Sequence, residues 1–597
     1  MRNTATPTTR RWLLHAATIV VALLGLACLT STRRTLSGTF DESNHLAAGL
    51  EWWQFGTYTQ WTENPPLARL AIAALPYWHG MRLPERAAWE PRTHDWDRSW
   101  EVGSDLLYAG EGFERNLARA RQGTLPFFLL TLTLVWLLAD GRRRPLAGFV
   151  AVALTATLPS LIAHGALATT DVAFAAMFLL ATLALRRWFV APTVPRALLL
   201  GAAGGLALLT KFSVVAFLPV TALAFAGARW LARSPARPLR DDRPLPWRAL
   251  AGQLALLFVA GFLTTWAGYR FSFGRIDALT PEVKGWLHLL PPVGERVGLV
   301  GALLRTPLPM PELWHGLRFL AVHDATGHDA YLLGKNSEHG FVAFYPLALL
   351  VKTPLPLLLL IGATIPLLAN RRAADWPARA MALAALGILL VSLRSHVNLG
   401  IRHVFVLLPL LAVAGARAAD DAVARANGGR RWLMAVGLGV LVCVQAGDAV
   451  AAREKELGFF NALAGSDPAA ILLDSDLDWG QDLFLLRREV KARGVDLLKI
   501  GFFGTLRLCQ HDLPRLEGLV PGRPTTGWIA ISENYYRHRS TFMLLKDPCD
   551  RRSTYDSEQV APLPFAWLRA FQPVAIVGSS VRLYHLVDGQ SPDRPTP

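Results

Sequence analysis

The sequence predicts an α-helical polytopic membrane protein, with about 11–13 transmembrane helices and an extracytoplasmic α/β domain at its C-terminal end. Of its 597 residues, 52% are hydrophobic and only 18% are charged. The apolar residues occur in long runs, such as 12–30, 250–269 and 432–450, which approach the roughly 20 residues that cross a bilayer. After about Ala452 the pattern changes to short apolar strands and an amphipathic helix, which is typical of a small α/β domain.

Eleven apolar segments are expected to span the membrane, and the proline-interrupted and short segments extend the range to thirteen. Pro354 and Pro356 interrupt the eighth segment, and the fifth and sixth are short. The predicted spans cover about residues 12–30, 125–139, 145–163, 172–188, 197–210, 212–230, 250–269, 341–362, 379–394, 403–417 and 432–450.

The net charge of +16 allows a nucleic-acid partner, but the placement of the basic residues argues against one. They gather in alternate short loops between spans, such as 142–144 and 371–372, which is the positive-inside pattern. This pattern predicts a cytoplasmic N-terminus and outer loops at about 31–123 and 270–340. We therefore expect a lipid bilayer, and no nucleic acid, as partner.

Three regions are predicted: a transmembrane domain over 1–451, an extracytoplasmic α/β domain over 452–588 and a disordered tail over 589–597. In the α/β domain, an amphipathic helix is expected over 481–491. Cys509 and Cys549 both fall in this domain, where a disulfide between them is possible. Strands are expected at 470–473, 497–503, 527–531, 574–577 and 581–585.

Several ionisable residues lie at the ends of spans that the charge pattern places on the outer face. An ionisable group within a span costs about 2.5–3.5 kcal/mol on insertion scales, so such groups usually have a function. Acids near early spans and bases near late ones are expected to converge there, as a charged, membrane-embedded substrate would require. These residues are Asp41, Glu42, Asp171, Lys211, Arg402 and His403, with Lys352 deeper in the eighth span.

Asp41 and His45 would lie one helical turn apart if residues 41–45 form a helix. That geometry suits a base with an orienting partner, or metal ligands, and a divalent metal held by Asp41, Glu42, His45 and Asp171 remains open. Helix capping explains Asp41 and Asp171 equally well.

An ordered set of motifs resembles the GT-C glycosyltransferases. The set begins with Asp41-Glu42, and its later members look like signatures of one bacterial branch. The most similar relatives are bacterial relatives of the protein O-mannosyltransferases and the lipid A aminoarabinose transferase. The motifs run in order along nearly the whole chain, at 41–42, 64–67, 169–171, 208–211, 331–334, 351–354, 398–403 and 476–482.

The resemblance implies a sugar donor carried on a polyprenyl phosphate, an extracytoplasmic acceptor and a bacterial cytoplasmic membrane location. It implies that Asp41 is the general base and that Glu42 or Asp171 orients it or shares a metal. The O-mannosyltransferases usually have His before the Pro-Pro pair, where this chain has Asn64. Substrate-loop candidates are His45, Asn64, Pro65, Pro66, Tyr331 and Asn398.

The chemistry of such a transfer agrees with these residue types. A polyprenyl phosphate is a weakly basic leaving group, so the transition state chiefly needs positive charge beside the phosphate. Arg402 can fork onto phosphate oxygens, and Lys211, Lys352 and His403 add charge. A transporter or flippase of a lipid-linked sugar would need the same anion site, and it remains the alternative.

Overall fold

Helices dominate the computed structural model, which describes residues 7–85, 96–232, 246–276, 306–369, 375–538, 544–551, 553–556 and 563–587. The helices of the membrane region and its outer loops are α1 (Pro7–Thr35), α2 (Glu42–Phe55), α3 (Pro66–Trp78), α4 (Trp96–Tyr108), α5 (Phe113–Arg121), α6 (Leu125–Leu138), α7 (Pro145–Ala156), α8 (Pro159–Ala166), α9 (Asp171–Val190), α10 (Val194–Leu208), α11 (Val214–Ala232), α12 (Trp247–Gly268), α13 (Pro311–Thr326), α14 (Phe344–Lys352), α15 (Leu355–Gly362), α16 (Ile365–Ala369), α17 (Trp376–Ser392), α18 (Leu407–Arg425) and α19 (Gly428–Ala451).

All eleven predicted spans are helical, but fewer are long enough to cross a membrane by themselves. Among the described residues, six helices are long and apolar enough, and two bent pairs raise that number to eight. Helices α10 and α17 are apolar but have only 15 and 17 residues. At about 1.5 Å per residue they are shorter than the roughly 30 Å hydrocarbon core. The predicted 11–13 transmembrane helices therefore exceed the six to eight that pass on length and hydropathy.

Prolines produce both bends. Helices α7 and α8 meet at 58° just before Pro159, and the axes on either side of Pro354 differ by 114°. Proline has no N–H to donate, and its ring clashes with the preceding turn, so a helix ends before it. Lys352 consequently lies at the C-terminal end of α14 and not in the middle of a continuous span.

The outer loops form ordered structure above the membrane helices. Helix α2 packs so closely on α3 that a Cβ at Gly49 would lie 2.2 Å from the carbonyl oxygen of Arg69. Helices α4 and α5 complete the first loop. The described parts of the second loop contain α13 and two strand pairs, β1 (Phe273–Gly274) with β2 (Leu308–Pro309) and β3 (Ala330–Leu332) with β4 (Lys335–Ser337).

The opposite ends of the membrane helices carry a second charged cluster. Arg144, which precedes α7, lies 3.0 Å from Asp375 and 2.9 Å from Asp421. Arg417 of α18 also contacts Asp375, at 2.8 Å. These residues belong to the ends that the basic-residue pattern assigns to the cytoplasm.

The C-terminal domain is built on one mixed sheet. Its elements are α20 (Leu483–Ala492), β5 (Leu497–Gly501), β6 (Arg515–Gly518), β7 (Gly527–Ser532), α21 (Glu533–Arg537), β8 (Ala575–Val577) and β9 (Val581–Leu586). The strand order is β6-β5-β7-β9-β8, in which β6, β5 and β7 are parallel and the remaining pairs are antiparallel. The predicted helix and four of the predicted strands are confirmed.

The strand predicted at 470–473 is wrong, and β6 was not predicted. Residues Pro468–Ala470 form a 3-10 turn, and Leu473 packs against Tyr331 and Leu477 without joining a sheet. A four-residue apolar run cannot by itself distinguish a strand from a buried turn. The disulfide that the sequence left open is present, with Cα atoms of Cys509 and Cys549 5.3 Å apart. The predicted disordered tail lies outside the described residues.

Candidate active site

Asp41 and Arg402 form the centre of the site. Asp41 precedes α2, and Arg402 lies in a 3-10 turn (Ile401–His403) that leads into α18. Nη1 of Arg402 donates to Oδ2 of Asp41 at 3.0 Å. The Asp41 side chain is 14% exposed and the Arg402 side chain is 12% exposed, so the pair is enclosed but accessible.

Asp171 and Lys211 form a second pair beside the first. Asp171 begins α9, and Lys211 lies in the turn between α10 and α11, with Nζ 2.8 Å from Oδ1 of Asp171. Asp171 is buried whereas Lys211 keeps 13% exposure. Nδ1 of His164 lies 3.8 Å from Oδ2 of Asp171. The acid therefore orients a lysine whose side chain remains partly exposed.

The two pairs are electrostatically coupled. The charge of Asp171 affects the pKa of Asp41 and that of His403, and Arg402 also affects His403. The structure pairs Asp41 with Arg402 and Asp171 with Lys211, while their shared role at a charged substrate stays a prediction. His403 lies within the same electrostatic field.

Burial and charge set the protonation states around this pair. Burial raises the pKa of Asp41, although Arg402 opposes the rise. Burial lowers the pKa of His403, and Lys211 and Arg402 lower it further. The Arg402 pKa is raised despite burial, because Asp41, Asp171 and Asp474 surround it. His403 is thus neutral near pH 7 and a weaker source of positive charge than Arg402.

His45 is bound to Arg69 and not to Asp41. Nε of Arg69 donates to Nδ1 of His45 at 3.0 Å, and Arg69 is fully buried. Since a guanidinium can only donate, Nδ1 has no hydrogen and the neutral ring bears it on Nε2. Burial and Arg69 both lower the His45 pKa. The predicted one-turn spacing holds, but the expected side-chain partnership of His45 with Asp41 is replaced by this contact.

Glu42 lies next to Asp41 in the sequence, but its carboxylate is bound by buried protein donors. Its oxygens accept from Arg121 at 2.7 and 2.8 Å, and the pair is almost completely buried. The N–H groups of Ala168 and Thr39 donate to it at 2.7 and 2.8 Å. The carboxylate is occupied by these donors, so we correct its assignment from a catalytic residue that orients Asp41 or shares a metal to one that holds the segments around Asp41 and Asp171.

Lys352 is buried, whereas Lys211 and Arg402 remain partly exposed. Its ammonium donates to the carbonyl oxygens of Leu457 at 2.8 Å and Asp476 at 2.5 Å, and the residue is 2% exposed. It also lies 4.4 Å from the ring centre of Phe460. Lys352 therefore binds the C-terminal segment, and its assignment as a donor-phosphate ligand is corrected. The helix break at Pro354, which places Lys352 at the end of α14, is the physical reason.

The remaining substrate-loop candidates make contacts with neighbouring segments of the protein. Asn64 accepts through its carbonyl oxygen from Tyr58 at 2.5 Å, while Pro65 and Pro66 begin α3. The Asn398 side chain accepts from Phe341 N–H at 2.6 Å. Tyr331 packs against C-terminal leucines. These contacts indicate structural support.

The proposed metal ligands do not assemble. Among the residues that the structure describes, no three His, Cys, Asp or Glu side chains are grouped so that they could hold a metal ion. Asp41, His45 and Asp171 instead face Arg402, Arg69 and Lys211. The donor set present favours an anion over a cation.

Three supporting side chains were missed in the sequence. Arg69 and Arg121 are each at most 1% exposed, yet they lie in helices where basic residues usually face solvent. Trp479 lies with its ring centre 4.2 Å from Cζ of Arg402. Only Trp479 had a signal, since it falls inside the distinctive 476–482 motif.

Residues 116–265, about a quarter of the chain, match the sequence model of the dolichyl-phosphate-mannose-protein mannosyltransferase family. The matched segment includes Asp171 and Lys211. This match agrees with the resemblance to the protein O-mannosyltransferases that the motifs indicate. The six to eight long apolar helices among the described residues make the protein a multi-pass membrane protein.

Solved structures with a similar arrangement include two of ArnT from Cupriavidus metallidurans. The one bound to undecaprenyl phosphate is 13% identical, with 97% of this chain and 99% of that chain covered and a TM-score of 0.43. The apo form is also 13% identical, with coverage of 95% and 97% and a TM-score of 0.46. The apo oligosaccharyltransferase of Archaeoglobus fulgidus is 14% identical, with coverage of 75% and 57% and a TM-score of 0.43. No curated protein matches the sequence significantly.

Proposed function

We propose that this protein transfers a sugar from a polyprenyl-phosphate carrier to an acceptor hydroxyl on the extracytoplasmic face of a bacterial cytoplasmic membrane. The observation that carries the proposal is the Asp41–Arg402 pair, which places a carboxylate base beside a cation suited to phosphate. The family model that matches residues 116–265 describes a transferase of this donor class.

In the proposed reaction, Asp41 takes the proton from the acceptor hydroxyl as the hydroxyl oxygen bonds to the anomeric carbon of the sugar. The bond from that carbon to the phosphate oxygen breaks, and the electron pair leaves with the polyprenyl phosphate. One displacement from the opposite face inverts the anomeric centre. No general acid is required, because the departing phosphate is already a weak base.

Arg402 and Lys211 are proposed to stabilise the departing phosphate. Both side chains remain partly exposed, and the buried Nε of Arg402 has no hydrogen-bond partner among the described residues. A guanidinium can offer two parallel N–H groups to phosphate oxygens, and fixed positive charge in an enclosed site stabilises developing negative charge. Asp171 keeps Lys211 in place.

Two features support the extracytoplasmic orientation. The Cys509–Cys549 disulfide belongs to a domain that contacts the site, and disulfides persist chiefly in oxidising compartments. The basic loops lie at the other ends of the same helices. The N-terminus is accordingly proposed to be cytoplasmic.

The decisive experiment measures transfer from a panel of radiolabelled polyprenyl-phosphate sugars in proteoliposomes that contain wild type or Asp41→Asn. We expect product from one donor with wild type, and at least a hundredfold less with Asp41→Asn. Asp512→Asn, at an exposed site in the C-terminal domain, is the matched control. Sugar translocation without a glycosylated product would contradict the proposal and favour a transporter.

A further inference from the structure

The C-terminal domain contributes a segment, residues 475–482, to the surroundings of Asp41 and Arg402. We call it the docking segment. Two hydrogen bonds attach this segment to the rest of the C-terminal domain. Oδ2 of Asp478 accepts from Asn534 N–H at 2.9 Å, and Oδ2 of Asp482 accepts from Ser580 N–H at 3.0 Å. The segment is therefore fixed to α21 and to the turn between β8 and β9, both within the C-terminal domain.

On one side, the docking segment pairs with the chain that leads into Asp41. Phe40 N–H donates to the carbonyl oxygen of Trp479 at 3.2 Å, and Ser37 N–H donates to that of Gln481 at 2.9 Å. The Ser37 hydroxyl donates to the carbonyl oxygen of Gly480 at 2.9 Å. These bonds fix the backbone immediately before the proposed base.

On the other side, the docking segment holds the turn that bears Arg402. Oδ1 of Asp476 accepts from Ile401 N–H at 3.0 Å, and the Ser475 hydroxyl donates to the carbonyl oxygen of Leu399. The approach is so close that a Cβ at Gly400 would lie 2.5 Å from the Ser475 hydroxyl. Gly400 also has φ of +131°, a conformation that other residues rarely adopt.

The Trp479 side chain joins the two sides. Its ring centre is 4.2 Å from Cζ of Arg402, and the residue is 3% exposed. A cation against an indole face is most strongly held when water is excluded. The ring thus limits the positions that the guanidinium can take, while the Trp479 backbone holds Phe40.

We propose that Trp479 is a positioning residue for sugar transfer, whose ring sets the Arg402 guanidinium against Asp41 and the donor phosphate. The inference rests on the proposed function. It assigns the C-terminal domain a part in completing the active site, and not only in covering it or selecting the acceptor. Trp479 acts through Arg402 and is not itself a catalytic residue.

The test uses full-length protein in nanodiscs and compares wild type, Trp479→Leu, Trp479→Phe, Arg402→Ala and the control Trp528→Leu. Trp528 lies in β7 of the C-terminal domain and stacks on His585, with ring centres 4.4 Å apart. The measurements are the Kd for undecaprenyl phosphate and the pH profile of transfer. The pH profile separates positioning from general stability, because Arg402 lowers the pKa of Asp41 while Asp171 and Asp474 raise it.

We expect Trp479→Leu to weaken undecaprenyl phosphate binding about tenfold and to move the acid limb of transfer to higher pH, as Asp41 loses its cation. Trp479→Phe should shift both in the same direction but less, since phenyl binds cations more weakly than indole. Trp528→Leu should match wild type. If Trp479→Leu cannot be purified, Trp479→Phe decides the question by the same two measurements.

Wild-type binding and an unmoved acid limb in the Trp479 variants would overturn the inference. Equal damage in Trp528→Leu would also overturn it, because the effect would then be general to the domain. A different result addresses the proposed function. If Arg402→Ala binds undecaprenyl phosphate as tightly as wild type, the phosphate site itself is wrong, whatever the Trp479 variants do.

Discussion

Arg402 donates to Asp41 across 3.0 Å, although 361 positions separate the two residues in the sequence. The proposed base and the proposed phosphate-binding cation are thus hydrogen-bonded to each other. A donor phosphate beside Arg402 would compete with Asp41 for the positive charge of the guanidinium. We therefore expect donor binding to weaken the hold of Arg402 on Asp41 and to make that carboxylate more basic as the acceptor arrives.

The pH dependence of transfer should report the state of Asp41. Burial raises the pKa of Asp41 above its ordinary value near 4, and Arg402 partly opposes that rise. Because the base must be deprotonated, activity should fall as the pH drops through this raised pKa. The measurement is kcat/KM against pH in proteoliposomes.

Removal of the opposing charge by Arg402→Gln should move the acid limb further upward. Asp512→Asn serves as the control and should leave the limb unchanged. An acid limb at the pKa of an exposed aspartate would show that the base is a different group.

Lysine should not be able to replace arginine at position 402. Arg402→Lys keeps the charge but loses the planar fork, so we expect the KM for donor to rise about tenfold. Arg402→Ala also removes the charge, and kcat/KM should fall by about two to three orders of magnitude. Steady-state kinetics with donor as the varied substrate gives both values.

Arg493, in the C-terminal domain and outside the site, provides the matched control through Arg493→Lys. Full activity in Arg402→Lys would indicate that the site needs only a point charge.

Glu42→Gln should reduce stability, whereas Asp41→Asn should reduce activity. Glu42 and Arg121 form a buried ion pair with exposures of 1% each, and loss of one partner from such a pair costs about 3–5 kcal/mol. We expect a lower thermal unfolding temperature and poor recovery of folded Glu42→Gln protein. Asp41→Asn, which alters a partly accessible residue, should unfold near the wild-type temperature.

Thermal unfolding in detergent, followed by intrinsic fluorescence, tests the difference. A stable but inactive Glu42→Gln protein would restore Glu42 to a catalytic role.

Lys352→Met should weaken the attachment of the C-terminal domain to the membrane region. It should leave the proposed phosphate-binding residues unchanged. The ammonium joins α14 to the carbonyl oxygens of Leu457 and Asp476, and methionine fills similar volume without donating to them. We expect faster proteolysis between the membrane region and the C-terminal domain, together with a lower kcat. Lys335→Met, at an exposed position in β4, is the control.

The KM for donor distinguishes this reading from direct phosphate binding. A tenfold rise in that KM with unchanged protease resistance would return Lys352 to the phosphate site.

Sequence patterns identified the membrane segments because each run of apolar residues is a local property. The convergence of Asp41, Asp171, Lys211 and Arg402 also followed from local observations, since each lies at the same end of a predicted span. The partners of these groups were harder to predict from the sequence. Arg69 and Arg121 resemble ordinary basic helix residues, and only tertiary contacts distinguish them.

Two misassigned roles have the same physical origin. Glu42 is adjacent to Asp41 in sequence, but the turn before α2 directs it toward Arg121. Lys352 lies in an apolar run, but the break at Pro354 places it beside the C-terminal domain. Hydropathy and spacing describe one segment at a time, whereas both roles depend on partners more than 70 positions away.

The contact between residues near 37–40 and residues 479–481 has a consequence for biosynthesis. A ribosome makes the first of these segments early and the second more than 400 residues later. Until the docking segment has been translated, the backbone before Asp41 and the turn with Arg402 lack their shared support. Nascent chains should therefore remain inactive while still in the translocation machinery, and activity should begin only with a nearly finished polypeptide.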